Sequence, residues 1–361
     1  MRGPDKFRVE KGREKRDIAA EDFLAEMVDT EHFSGVAMVT RGGQPIHKRA
    51  YGPASVDRDN HVDGRFHVGS IAKQFTAAAI MQLIEAEAVQ LDGRINDYLP
   101  EGRRSQHWDS VNVAHLLSHS SGIPDYAVAR DYYAVVDGWA FGATVDGMIH
   151  EAIARPLDFR PGSQFHYCNL GYTLLGEIIE AQSGLRYADY IRQELLLPFG
   201  LENSEVHDEC YSPRPGDATG LRWDDHLGRH VKDDVVSLPV TPADGGLITT
   251  LDDFALWTTA FKCVDHPALS KTSLERMLAQ GAPTNTYRWP ERNMRGPGFY
   301  GLGLMRSGDL VMHEGSIVGF RSFFIYSQHD DLLVAVFANN SCSDVFRIAS
   351  VLFSLFVATA E

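Results

Sequence analysis

The chain predicts a mixed α/β (α+β) protein whose sheet is assembled from its two distant ends. Three observations carry this. Strand-like runs open the chain at Ser34–Thr40 and Pro45–Tyr51 and close it at Gly301–Met305, Gly319–Tyr326 and Leu332–Ala338. Between them, from Asn112 to Leu197, helical patterns dominate, punctuated by Pro124, Pro156 and Pro161. With 361 residues, 44% of them hydrophobic, the chain can bury a sizeable core.

The elements follow in order. Asp17–Asp29 has an amphipathic helical pattern, and Arg41-Gly42-Gly43-Gln44 reads as a hairpin turn between the first two strands. Ile71–Val89 carries apolar residues at helical spacing. A helix is expected over Leu170–Gln182 and another from Asp344 to about Ala358. Asp309–Met312 lies between the first two closing strands. The expected division is a mobile basic tail at 1–16, a discontinuous sheet domain at 17–69 and 235–361, and a mainly helical lobe at 70–234. There are no internal repeats.

Net charge is −15, and the first sixteen residues are +4, which leaves the body at −19. An acidic body argues against nucleic acid as a partner. The amino terminus lacks a signal-like apolar stretch, and no run approaches the ~18 apolar residues of a membrane span. A cytoplasmic location is expected, with no membrane partner. Cys168, Cys210, Cys263 and Cys342 show no paired spacing and read as free thiols.

The chemistry lies in Ser70-Ile71-Ala72-Lys73, where a glycine turn runs into an apolar helix. Residues three apart share a helix face, so an amine stands beside a hydroxyl. Serine needs a neighbour to take its proton, and a lysine does so if burial lowers its pKa. Composition alone predicts about 0.5 such tetrads, and this is the single one present. The bare tetrad also fits an N-cap serine followed by a solvated lysine.

Two later pieces weigh toward chemistry. Tyr167-Cys168-Asn169 is the single Tyr-x-Asn, in a turn just before a helix. His313-Glu314-Gly315-Ser316 lies between two strand-like runs; His226-Leu227-Gly228, another His-x-Gly, lies in a polar loop.

In the order Ser-x-x-Lys, Tyr-x-Asn, His-x-Gly, the chain resembles the serine β-lactamase and penicillin-binding superfamily. The tyrosine points to the branch of class C β-lactamases, DD-carboxypeptidases and esterases. Val113–Ile123, Asn169–Gly176, Gly245-Gly246-Leu247 and Tyr300-Gly301-Leu302-Gly303 resemble that branch too, and the likeness runs over roughly residues 20 to 356. It implies an antiparallel sheet covered by helices beside an all-helical lobe, with the active site in the cleft between.

The resemblance also implies roles. Ser70 would attack a carbonyl, with Lys73 and Tyr167 taking its proton and passing it to the leaving group. Asn169 would orient Lys73 and bind substrate, and the N–H groups of Ser70 and Ser316 would form the oxyanion hole. Gly315 would let substrate lie against its strand. His313 stands where class C β-lactamases carry lysine, and a neutral imidazole binds a substrate carboxylate less well. Cys168 reads as a spacer. His115 and His119, four apart, lack a third ligand at defined spacing, so no metal is expected. No cofactor is expected either. Ser121 lacks the Gly-x-Ser-x-Gly context of another nucleophile type. Tyr126, Tyr132, Tyr133, Trp139 and Phe141, with Tyr287, Trp289, Phe299 and Tyr300, either line the cleft or pack the lobe.

The expected activity is hydrolysis of small esters or amides, D-amino-acid derivatives included, through an acyl-enzyme. A biosynthetic transacylase, a β-lactamase or DD-peptidase, and a penicillin-binding or sensor module that never turns over are the alternatives.

Overall fold

The computed structural model describes residues 4–125, 144–233, 241–279, 281–283 and 298–357. Helix α1 spans Pro4–Glu31, beginning well before the amphipathic stretch that predicts it. Strands β1 (Gly35–Arg41) and β2 (Gln44–Tyr51) form a hairpin. Its turn places Gly42 and Gly43 at φ 59° and 75°, a conformation that costs glycine little. Short strand β3 (Phe66–His67) leads through a 3-10 turn at Gly69–Ala72 into α2 (Lys73–Glu85). The lobe includes α3 (Val113–Leu117), α4 (Asn169–Ser183) and strand β4 (Glu205–Val206), and strand β5 (Leu247–Thr249) follows it. The closing segment supplies β6 (Ala282–Pro283), β7 (Gly298–Tyr300), β8 (Met305–Ser307), β9 (Leu310–Ile317), β10 (Phe320–Ser327), β11 (Leu332–Ala338) and α5 (Val345–Phe356).

The main sheet runs β6-β7-β8-β9-β10-β11-β1-β2, and its pairs are antiparallel. Pairing Gly35 with Ala338 joins the two ends of the chain. β11 is buried along its whole length because both faces of the sheet are covered. Val334 and Val336 join Leu24, Met27, Leu352 and Phe356 of α1 and α5 on one face. Leu333, Ala335 and Phe337 join the larger core around α2 and α4 on the other. That alternation is the period-two pattern of a strand. α2 buries nearly every side chain, which suits a helix held between sheet and lobe.

Two expectations are corrected. Gly301–Met305 is not one strand: it turns between β7 and β8, and Gly303, at φ 76°, abuts the Lys73 carbonyl so closely that a Cβ would lie 2.8 Å from that oxygen. His313–Ser316 does not lie between strands but inside β9, paired residue by residue with Arg321–Phe324. The region 70–234 also holds short strands: β4 joins β3 and β5 in a small sheet, and Leu221–Asp224 pairs with Arg229–Lys232. His226-Leu227-Gly228 forms the tip of that hairpin. Tyr126, Tyr132, Tyr133, Trp139, Phe141, Tyr287 and Trp289 lie outside the described residues. Among the described residues no helix is long and apolar enough to cross a membrane.

Candidate active site

Ser70 is placed by the turn that precedes it. Gly69 has φ 52°, and a Cβ there would come within 2.8 Å of the Ser316 amide nitrogen. Glycine therefore lets the Ser70 turn lie directly on β9. The Ser322 hydroxyl donates to the Val68 carbonyl at 2.8 Å and fixes the same contact from β10. A Cβ on Gly315 would stand 1.9 Å from that carbonyl. The space that a side chain at position 315 would need is thus taken by the chain's own Val68. The result is that Ser70, half-buried, and Ser316, exposed, are held on neighbouring backbones.

Lys73 opens α2 with its side chain fully buried. Its Nζ reaches Ser70 Oγ at 3.0 Å, Asn169 Oδ1 at 2.8 Å and the Asp244 backbone carbonyl at 2.8 Å. The Asp244 carboxylate is 3.9 Å away. Asp244 sits in the helical turn Pro242–Gly245, which α2 grips through the Thr76 hydroxyl donating to the Ala243 carbonyl at 2.5 Å. Burial lowers the Lys73 pKa to about 8, opposed chiefly by the charges of Asp244 and Asp125. A neutral amine has two N–H bonds and one lone pair. The two carbonyl oxygens take the N–H bonds, which leaves the lone pair facing the Ser70 hydroxyl.

Tyr167 and Asn169 flank the start of α4. Cys168 is the N-cap, its Sγ accepting from the Gly171 N–H at 3.3 Å. Burial holds that thiol well above its ordinary range, so it is an inert spacer. The Tyr167 ring centroid is 5.0 Å from Lys73 Nζ, and the Tyr172 centroid 5.5 Å. The His119 ring lies 4.1 Å from that of Tyr167, and its Nδ1 accepts from the Cys168 N–H at 3.1 Å. Burial keeps His119 neutral by lowering its pKa far below the usual value. His115 is committed elsewhere: its Nδ1 accepts from the Asn112 N–H in a capping box on α3.

His313 is fully buried in β9. Its Nδ1 lies 2.5 Å from the Glu314 carbonyl and its Nε2 2.9 Å from the Tyr300 hydroxyl. A carbonyl can only accept, so Nδ1 carries the proton and Nε2 accepts from Tyr300. Burial, aided by nearby Lys73, lowers the His313 pKa to about 3. The ring is a neutral link between Tyr300 and β9, 6.4 Å from the Tyr167 ring.

The structure therefore gathers Ser70, Lys73, Tyr167 and Asn169 at one point, with Gly315 and Ser316 alongside. Sequence reasoning missed Asp125 and Asp244 and the contact of His119 with Tyr167. His119 and Tyr300 fell within family-like segments, but nothing in their local pattern reveals those contacts. The Asp125 and Asp244 contacts cross 44 and 171 residues of sequence, and no spacing reports such a distance.

The profile of the Beta-lactamase family matches residues 20–350. Penicillin-binding protein 4* of Bacillus subtilis is 28% identical over 86% of this chain and 69% of its own length. A D-aminopeptidase of Gluconobacter oxydans is 26% identical over 88% of this chain, which spans 58% of that protein's length. Among solved structures, an octameric penicillin-binding protein homologue from Pyrococcus abyssi superposes with a TM-score of 0.79 and 29% identity over 93% of this chain and 76% of that one. A D-stereospecific amidohydrolase from Streptomyces, at 24% identity, shares the fold with a TM-score of 0.74 over 95% and 99% of the two chains. The chain belongs to the Beta-lactamase family.

Proposed function

We propose that this member of the family hydrolyses small esters and amides, D-amino-acid amides among them, through an acyl-enzyme on Ser70. The observation that carries the reading is the set of three contacts around Lys73 Nζ: two carbonyl acceptors and the Ser70 hydroxyl. In the proposed reaction Ser70 Oγ attacks the substrate carbonyl as its proton passes to Lys73. The Ser70 and Ser316 N–H groups receive the oxyanion. The proton then moves, through Lys73 and Tyr167 acting together, to the departing amine or alcohol. Water repeats the steps in reverse order of protonation to release the acid. Asn169 holds Lys73 throughout.

The wall around His313 supports the substrate class. A neutral, buried imidazole offers a carboxylate no counter-charge. Substrates without a free carboxylate at that position fit better than penicillins or carboxyl-terminal D-amino acids. The D-aminopeptidase and the amidohydrolase among the relatives point the same way.

Steady-state kinetics test the reading. Short-chain aryl esters and D-amino-acid amides are expected to exceed penicillins and cephalosporins in kcat/KM by at least ~10², about 2.7 kcal/mol of transition-state free energy. Product analysis with added amines and alcohols is expected to show hydrolysis dominating. Penicillin turnover equal to ester turnover overturns the substrate class. Acyl transfer dominating at millimolar acceptor reassigns the enzyme as a transacylase, and a single burst with no steady state makes it a sensor.

A further inference from the structure

Asn169 faces Lys73 with its carbonyl, and something must hold the amide that way round. An amide side chain presents an acceptor or two donors depending on a 180° flip. Here Asn169 Nδ2 donates to Asp125 Oδ2 at 3.2 Å, while Asn169 Oδ1 accepts from Lys73 at 2.8 Å. The other Asp125 oxygen accepts the Leu170 N–H at 3.0 Å, one of the first N–H groups of α4. Asp125 is buried, at 4% exposure, and a carboxylate has no proton to donate. It can accept only from Nδ2, so the flipped amide is excluded.

Asp125 is itself placed by a rigid loop. Gly122 has φ 77°, and a Cβ there would lie 2.2 Å from the Phe159 carbonyl. The Asp158 N–H donates to the Gly122 carbonyl at 2.7 Å, and the His166 N–H to the His119 carbonyl at 2.9 Å. The Ile123 N–H donates to the Ser121 hydroxyl oxygen at 3.2 Å. Residues 119–125 thus act as a template on which 166–170 are laid. His119 takes the Cys168 N–H, the Ile123 carbonyl takes the Cys168 thiol at 3.5 Å, and Asp125 takes the Leu170 and Asn169 groups.

We propose that Asp125 is a positioning residue for the reaction: its carboxylate fixes the Asn169 amide with the carbonyl toward Lys73, and so keeps the amine aimed at Ser70. This rests on the reading of Ser70 as nucleophile and Lys73 as its base. It uses one Nδ2 hydrogen of Asn169 and leaves the second for substrate. Asp125 also contributes a negative charge to the group that faces Lys73. That group comprises Asp244, Asp125, Cys168, the rings of Tyr167 and Tyr172, and neutral His119 and His313.

The test is the rate at which a fluorophosphonate labels Ser70, followed by peptide mapping across pH. In Asp125→Asn the new amide must either lose the Leu170 N–H or meet Asn169 donor to donor, so Asn169 turns its donors to Lys73. Labelling at the high-pH plateau is expected to fall at least about tenfold. The midpoint of its rise is expected to move to lower pH, because a negative charge that favoured protonated Lys73 is gone. A residue that only stabilised the loop would lower the rate without moving the midpoint. Combining Asp125→Asn with Asn169→Asp exchanges amide and carboxylate and restores donor to acceptor. This swap is expected to recover about tenfold over the single variant, with its midpoint above the wild type. A swap no better than Asp125→Asn, through misfolding or otherwise, overturns the proposal. So does an Asp125→Asn rate and midpoint equal to wild type when wild-type Ser70 is labelled. No label on wild-type Ser70 overturns the parent reading and this one with it.

Discussion

Lys73 and His313 are both fully buried and both basic by nature, yet the molecule treats them in opposite ways. Around Lys73 stand two carbonyl oxygens, a hydroxyl and the Asp244 carboxylate. Around His313 stand a phenol and one carbonyl, with no carboxylate among the groups that set its pKa. Desolvation pushes both pKa values down. Negative neighbours check the fall at Lys73, which stops at about 8, while His313 drops to about 3. Burial alone therefore does not make a catalytic base. It makes one where acceptors and negative charge leave the two protonation states close in energy near neutral pH. In the proposed reaction the lysine then exchanges a proton with Ser70, while the histidine ties Tyr300 to β9.

Removing the reacting pair breaks the comparison most severely. Ser70→Ala is expected to abolish turnover and labelling together. Lys73→Ala and Tyr167→Phe are each expected to lower acylation by at least ~10². Their combination should fall far short of the product, because the two move one proton. Rapid-quench or burst kinetics on an aryl ester measure this, and fully multiplicative losses would show two independent groups.

A smaller effect is expected at the histidine. In the wild type no limb of the kcat/KM profile should come from His313 between pH 5 and 8, since it stays neutral down to about 3. Replacing it with a longer, more basic side chain sharpens the contrast. His313→Lys is expected to shift selectivity toward carboxylate-bearing substrates by about tenfold relative to neutral esters. Unchanged selectivity would mean that this wall does not meet the substrate's carboxylate position.

Much of the fold is legible in the sequence for a simple reason. β1 and β11 are rich in strand-forming residues, and the Gly42-Gly43 turn that folds β2 back on β1 is local chemistry. The glycine-rich run after Tyr300 misleads, because its shape comes from packing Gly303 against the carbonyl of Lys73, more than 200 residues earlier. The His313–Ser316 stretch reads as a gap for a related reason: Glu314 and Gly315 are poor strand formers, and β10 pairing holds them extended all the same. At the site, Ser70 and Lys73 are legible because helical spacing alone joins them. Tyr167 and Asn169 are legible through family likeness. The acceptors that tune and aim Lys73, Asp244 and Asp125, arrive through tertiary contacts and leave no local signal.

The central claim is that Lys73 can be neutral beside Ser70 at working pH. The direct measurement is a titration of the lysine side chains by NMR after isotopic labelling at Cε. With eight lysines in the chain, the Lys73 signal is assigned by its loss in Lys73→Arg. The account predicts a midpoint of about 8, well apart from the exposed lysines. A midpoint at the ordinary ~10.4 would leave Ser70 without a base and contradict it.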